Sequence, residues 1–143
     1  MDTAVALISE PDWAMRELMK RALTEAGFET LDSASPLELE LKLRSPRLRT
    51  APRALLVLAD ALCSRSQTAL AALAALRAES ELGEPQVLLT REFGTSPAEA
   101  PRDLGGCTVA AVLEKPFDFS LFQAIAYRCR THTDSGEAGG LGQ

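Results

Sequence analysis

Short apolar runs alternate with amphipathic stretches along most of the chain, and this alternation is the feature that most constrains the fold. Five runs have the length of a β-strand, at residues 4–8, 28–32, 54–59, 86–90 and 109–113. The run at 54–59 is the most apolar and indicates a central strand buried on both faces, whereas the run at 28–32 alternates with polar residues and indicates a strand nearer an edge. Strands that alternate with helices form a parallel sheet with right-handed crossovers. The sequence therefore predicts an α/β fold, a doubly wound (βα)5 parallel sheet.

The stretches between the predicted strands have the spacing and the end signals of helices. Residues 15–26 place apolar side chains on one helix face, with Pro11 near the start of this helix and Gly27 at its end. An Ala-rich helix is predicted around residues 70–76. A loop with a short helix is predicted over residues 91–105.

Length and charge limit the classes of function that this chain can have. Its 143 residues are typical of one domain, and the formal net charge is -5. We expect a domain at 1–130 and a flexible tail or linker at 131–143, because that end of the chain is polar and Gly-rich. The negative charge argues against direct binding of nucleic acid by this domain. No apolar run reaches the roughly 18 residues of a membrane span, and the first residues lack the basic start and apolar stretch of a signal peptide, so a cytoplasmic protein is expected.

The cysteine and histidine content argues against several kinds of catalytic or metal site. Cys63, Cys107 and Cys129 are widely spaced, and buried thiols are expected in a reducing compartment. The single histidine, His132, lies in the polar tail. A zinc site and a histidine-assisted nucleophile are therefore not expected. We also expect that the protein is not an enzyme.

Charged and hydroxyl side chains lie at the carboxyl ends of four of the predicted strands. They are Glu10, Asp12, Asp60, Thr90 and Lys115. Because the carboxyl ends of parallel strands meet at one edge of a sheet, we expect these side chains to lie near one another. Each residue also has a plainer interpretation. Asp12 has the position of a helix N-cap, Lys115 of a solvated charge, and Thr90 of a β-branched strand residue.

Four segments resemble the receiver domain of two-component response regulators, and together they span nearly all of residues 4–130. These segments are SEPDWAMRELMKRALTEAGF, LLVLAD, QVLLT and VLEKPFD. The spacing between Asp60 and Thr90 also matches that family. The resemblance implies a flavodoxin-like sheet with strand order 2-1-3-4-5.

The resemblance also implies a role for each residue at the edge. Asp60 is the expected phosphoacceptor, a carboxylate that takes a phosphoryl group from a histidine kinase or phosphotransfer protein and forms an acyl phosphate. Thr90 and Lys115 are expected to contact the phosphoryl group, Thr90 as a switch and Lys115 as a point charge. Pro116 is the expected structural residue that holds Lys115, with a cis peptide bond as one way to do so.

A Mg²⁺ ion is the cofactor that the resemblance implies, held by Glu10 or Asp12 together with Asp60. The sequence departs from the family pattern at this point. Pro11 stands where the family has its second acid, a direct ligand, and Pro has no side-chain oxygen. Asp12 follows one residue late, and Mg²⁺ requires strict octahedral geometry, so a displaced carboxylate should bind it poorly.

Other departures also lie close to the expected phosphoacceptor. Arg91 follows Thr90 where the family has a small residue, so a long cation is placed to cover or enter the pocket. Val112 stands where many receivers have an aromatic residue, and Ser64 replaces a usual Pro in a loop at 61–68 that is longer than expected. A slip of one residue, with the strand ending at Ala59, would leave no phosphoacceptor.

Three functions of different classes follow from these observations. The first is a signal-transduction receiver, phosphorylated on Asp60, that switches an interaction surface for a downstream effector protein or domain. The alternative is a phosphorylation-independent pseudo-receiver that docks through the short helix predicted within 91–105, the strand at 109–113 and the final helix, although Phe119 and Phe122 in that last helix are expected to be core residues. The third is a flavodoxin-like or nucleotide-binding protein. It would need a Gly-rich loop after the first strand, and this sequence has none there.

Overall fold

The structure of the protein is a computed structural model. It describes residues 3–60, 66–80, 83–92, 94 and 103–131. Several predictions lie outside these residues, namely those for Cys63, for Ser64 and most of its loop, for His132, and for the tail beyond Thr131.

The described residues contain one sheet of six strands. The strands are β1 (Ala4–Ser9), β2 (Phe28–Ser33), β3 (Ala54–Ala59), β4 (Gln86–Arg91), β5 (Asp103–Leu104) and β6 (Cys107–Glu114). Their order across the sheet is β2-β1-β3-β4-β6-β5, and every neighbouring pair is parallel except the antiparallel pair β5 and β6. The five parallel strands, counted along the chain, thus have the predicted order 2-1-3-4-5, which is confirmed.

Helices cover both faces of this sheet. They are α1 (Trp13–Glu25), α2 (Pro36–Leu43), α3 (Pro46–Arg49), α4 (Gln67–Glu79) and α5 (Phe119–Thr131). The first helix ends as predicted, with Gly27 just beyond it at a φ of 100°. The single turn of α3 was not predicted. Its signals are local, since Ser45 caps it and Pro46 takes the first position, where a missing N–H is harmless. In the described part of the chain, no helix is both long and apolar enough to cross a membrane.

The prediction of a loop and a short helix over residues 91–105 is wrong for its last residues, 103–105, which form a strand and a turn. Residues 103–104 and 107 onward form an antiparallel hairpin, joined by Gly105 and Gly106 with φ values of 57° and 87°. Two consecutive glycines with positive φ form the two-residue turn that suits the twist of a hairpin. The short helix predicted before the hairpin lies outside the described residues.

The core consists of two apolar layers, one on each face of the sheet. The central strand β3 contributes to both, because Leu56 and Leu58 face one layer and Leu55 and Val57 face the other. This confirms the prediction of a strand buried on both faces. The edge position of β2, with its half-exposed residues, confirms the second strand prediction.

Aromatic side chains occupy one end of the layer beneath α1 and α5. Phe122 is fully buried, and its ring stacks on Phe117 at a centroid distance of 5.7 Å. Phe119 packs against both rings at 5.1 and 5.7 Å. Phe122 is therefore a core residue, as expected, and Phe119 is a partly buried residue that packs against the same layer.

Candidate functional site

The strand register brings the predicted residues together at the carboxyl edge of the sheet. Ala59 of β3 pairs with Thr90 of β4, and Thr90 pairs with Leu113 of β6. The next residue on β4 is Arg91, and the next after β3 is Asp60. Asp60 therefore lies beside Arg91, one step beyond the last paired residues of β3.

Glu10 and Lys115 form a buried ion pair that joins the ends of β1 and β6. Glu10 is completely buried, and the Lys115 ammonium donates a hydrogen bond to Glu10 Oε1 at 2.8 Å. The other oxygen, Oε2, accepts a hydrogen bond from the backbone N–H of Asp12 at 3.0 Å. The ammonium also donates to Glu92 Oε2 at 3.2 Å. Both oxygens of Glu10 thus have partners within the protein.

The electrostatics of Lys115 follow from these contacts. Burial lowers the pKa of the Lys115 ammonium, but its hydrogen bonds and charge interactions with Glu10 and Glu92 outweigh burial and raise that pKa above 10.5. The backbone N–H of Lys115 donates to the carbonyl of Arg91 at 2.8 Å, and its peptide bond to Pro116 is cis. Lys115 is thus a cation at neutral pH, held by both its backbone and its side chain.

Asp60 and Arg91 form a second ion pair at this edge. Arg91 Nε lies 3.8 Å from Asp60 Oδ2, and the exposed fractions of the two side chains are 14% and 20%. A distance of 3.8 Å is too long for a hydrogen bond, so the contact is electrostatic. The sequence indicated that Arg91 could cover or enter the pocket, and the guanidinium lies against the expected phosphoacceptor.

Asp12 is a helix cap in the structure. Its Oδ2 accepts a hydrogen bond from the backbone N–H of Met15 at 3.1 Å, and the residue is exposed. Among the described residues no three His, Cys, Asp or Glu side chains are grouped so that they could hold a metal ion. The predicted magnesium ligands Glu10, Asp12 and Asp60 are therefore not assembled as a set. The residues present do not fit a bound Mg²⁺, because two of the carboxylates already face cations of the protein and the third caps α1.

Two hydroxyl groups lie buried near the same strand ends. Ser9 and Thr90 are each 1% exposed, and within the described ranges neither side-chain oxygen has a hydrogen-bond partner. An unpaired buried hydroxyl is destabilising by about 1 to 3 kcal/mol. The Thr90 hydroxyl thus lies at the carboxyl edge without a hydrogen-bond partner among the described residues.

Sequence reasoning missed Glu92 as a member of this site. It follows β4 directly and supplies the second carboxylate to Lys115. Its position could have identified it, because Glu92 is an acidic residue just past a strand end. The same criterion identified Glu10 and Asp60.

Comparison with known proteins gives a consistent result for the fold. No family model matches the chain, and no curated protein sequence matches it. Among solved structures, a response regulator receiver domain protein from Bacillus halodurans is 20% identical, covers 94% of this chain and 100% of its own, and has a TM-score of 0.61. A chemotaxis response regulator of Vibrio cholerae is 18% identical over 89% of this chain and 98% of its own, with a TM-score of 0.62.

A sensor protein from Polaromonas is a further structural neighbour. It is 20% identical, covers 88% of this chain and 94% of its own, and has a TM-score of 0.61. Identities of this size carry information on the fold and none on individual site residues. The strand order, the helices on both faces and these neighbours agree: the chain has the fold of the response regulator receiver domains.

Proposed function

We propose that this protein is a signal-transduction receiver module that acts through protein–protein interaction and does not depend on magnesium-assisted phosphorylation. The observation that carries this proposal is the pairing of Asp60 with Arg91. A phosphoacceptor carboxylate with a bound divalent cation needs an open, negatively charged pocket. Here a cation of the protein itself lies against that carboxylate.

The second ion pair supports the same conclusion. Glu10 would supply the first acid of a magnesium site, but its two oxygens accept hydrogen bonds from Lys115 and from the backbone of Asp12. A carboxylate with both oxygens engaged in a fully buried position is a poor ligand for an ion that demands fixed octahedral geometry.

The surface of β6 and α5 is the proposed docking face for a downstream effector protein or domain. Ala110 of β6 lies next to Leu121, Ile125 and Arg128 of α5 around a shallow cavity, and Leu121 is 49% exposed. An apolar surface with a cation beside it suits a partner that brings apolar and acidic side chains. A histidine kinase or phosphotransfer protein is the upstream partner for the second candidate function, phosphorylation on Asp60.

Phosphorylation on Asp60 is a second candidate function, and the Thr90 hydroxyl specifically favours it. That oxygen is buried and has no hydrogen-bond partner among the described residues, as expected of a group that contacts an incoming phosphoryl group. In this case a phosphohistidine would transfer its phosphoryl group to an oxygen of Asp60. The Asp60–Arg91 pair would have to open first.

Incubation with acetyl phosphate and Mg²⁺, followed by intact mass measurement, distinguishes the two functions. We expect no phosphoryl gain in the wild type at any Mg²⁺ concentration, and the same mass for Asp60→Asn. Effector binding should also be equal in both proteins. A gain of one phosphoryl group in the wild type alone would reject the proposed function and support the second candidate.

A further inference from the structure

We propose that this protein forms a two-fold dimer through the side of α2 that carries Leu37 and Leu41, which we call the outer face of α2. The occupant of this face is the same face of a second copy of the chain. The inference goes beyond the proposed function and does not depend on it. Helix α2 packs in the core layer with α4, whereas α5 packs in the layer with α1, so a dimer of this kind does not use the docking face of β6 and α5.

Helix α2 is apolar on two opposite sides, because its sequence, PLELELKL, alternates leucine with charged residues. Leu39 and Leu43 are 0% and 1% exposed and belong to the core, whereas Leu37 and Leu41 are 66% and 62% exposed. Residues four apart share one side of a helix, and residues two apart lie on nearly opposite sides, so the exposed pair points away from the sheet. The solvent side of a surface helix is normally polar. The outer face of α2 therefore indicates a second contact surface.

The charges around the outer face fit a second copy placed antiparallel to the first. The first half of α2 carries Glu38 and Glu40, and the second half, with its C-cap, carries Lys42 and Arg44. In an antiparallel pair the acidic half of each helix lies against the basic half of the other, and the two helix dipoles point in opposite directions. A parallel pair would bring like charges together. The pattern is therefore self-complementary, as a two-fold interface requires.

The hydrogen bonds at the start of α2 place its negative charge where Arg44 of the second copy would lie. Glu38 Oε1 accepts a hydrogen bond from the backbone N–H of Ala34 at 2.7 Å, so this carboxylate is folded back over the residue before the N-cap. In an antiparallel pair centred on the exposed leucines, Arg44 of the second copy lies near the level of Ala34. In the described part of the chain, the one ion pair of Arg44 is a 3.7 Å contact with Glu40, and the Arg44 side chain is 58% exposed. That contact is too long for a hydrogen bond, so the guanidinium has donors for a carboxylate of the second copy.

The outer face is small, and we therefore expect a weak dimer. Helix α2 has 8 residues, which correspond to a length of about 12 Å. Interfaces that bury less than about 1,200 Å² are typical of weak or transient complexes. Association should accordingly be measurable between about 10 μM and about 1 mM protein.

Sedimentation velocity over that concentration range measures the association. We expect the weight-average mass of the wild type to rise from 15.3 kDa toward twice that value. Leu37→Gln/Leu41→Gln should remain at the monomer mass throughout. The matched control is Trp13→Gln/Leu18→Gln, which removes two apolar side chains of α1 that are 67% and 47% exposed, and it should associate as the wild type does.

Two charge variants test the antiparallel arrangement. Arg44→Glu brings two acids together at each end of the interface, and Glu38→Lys brings two cations together there, so each variant alone should associate at least about tenfold more weakly than the wild type. In an equimolar mixture, a mixed dimer has opposite charges at both ends, and association should return. Circular dichroism shows whether each variant folds, since Glu38 also binds the start of α2. The leucine variant keeps that contact, so the dimer stays testable if Glu38→Lys does not fold.

Three results would overturn the inference. The first is a wild type that stays at the monomer mass over the whole concentration range. The second is association that persists in Leu37→Gln/Leu41→Gln or that is equally lost in the α1 control, because the contact would then lie elsewhere. The third is a mixture of folded charge variants that associates no better than either variant alone. None of these results decides the proposed function, which is tested by phosphorylation and effector binding.

Discussion

Replacement of Lys115 by Met tests whether the buried carboxylate of Glu10 depends on its ammonium partner. Met is similar in length to Lys and keeps the apolar contacts of the stem, so the change is mainly the loss of one charge. Glu10 would keep the hydrogen bond from the backbone of Asp12 but would lose the 2.8 Å contact with the ammonium. A fully buried carboxylate would then lack a counter-ion.

The size of the effect follows from the burial of Glu10. Removal of one partner from a buried ion pair is destabilising by about 3 to 5 kcal/mol, and we expect the lower end because one hydrogen bond remains. Lys20→Met is the matched control. Lys20 lies 3.6 Å from Glu17 and 3.5 Å from Asp32 at a more exposed position, so its loss should be destabilising by less than about 1 kcal/mol.

Urea unfolding at pH 7, followed by circular dichroism, measures both free energies of unfolding. A second comparison uses Glu10→Gln in the background of Lys115→Met, where the uncharged amide should recover a large part of the lost stability. The reasoning is refuted if Lys115→Met is no more destabilising than Lys20→Met. It is also refuted if Glu10→Gln brings no recovery.

Three further predictions concern pH, the hairpin turn and the core. Burial lowers the pKa of Lys115, but its two carboxylate partners outweigh burial and raise the pKa above 10.5 in the folded state. The ion pairs of Lys115 therefore stabilise the fold fully at pH values below the unfolded pKa, which is near 10.4. This stabilisation is lost as the pH rises through the folded pKa. Urea midpoints measured from pH 9 upward should therefore fall more steeply for the wild type than for Lys115→Met, and parallel curves would contradict this. Gly105→Ala should be destabilising by at least about 2 kcal/mol, because φ is 57° and the new Cβ would meet the Leu70 carbonyl oxygen at 2.8 Å. Gly94→Ala has φ of 79° but no atom of the described residues within 4 Å of the new Cβ, so thermal unfolding should show a smaller loss of about 1 kcal/mol, and equal losses would refute the steric argument. Phe122→Ala should be destabilising by about 3 to 5 kcal/mol in urea unfolding, and a loss below 1 kcal/mol would contradict its place in the core.

The sequence predicts the parallel part of the fold well because its signals are local. The apolar run of β3, the Gly27 stop after α1 and the polar alternation of β2 each depend on neighbouring residues alone. The hairpin of β5 and β6 was missed for a physical reason. β5 has only two residues, too few to form a hydrophobic pattern, and only the Gly105-Gly106 pair marks the turn.

The sequence predicted which residues lie at the carboxyl edge, but not which side chains there contact one another. Glu10, Asp60, Thr90 and Lys115 were identified because strand ends in a parallel sheet share an edge. The partner of each side chain could not be predicted in the same way, because an ion pair such as Asp60–Arg91 depends on the register between two strands and on side-chain rotamers. The sequence position of Asp12 fits both a helix N-cap and a metal ligand. The start of α1 at the next residue makes Asp12 the cap.

The contacts that occupy the carboxyl edge also determine the geometry of the proposed docking face. Lys115 follows β6 directly, its backbone binds the carbonyl of Arg91 on β4, and its side chain binds Glu10 after β1. The end of β6 is therefore held to two other strands by groups that belong to the protein, and α5 begins only a few residues later. These contacts exist in the unmodified chain. Under the proposed function, the surface of β6 and α5 is therefore formed by folding itself, and regulation acts on the availability of the partner.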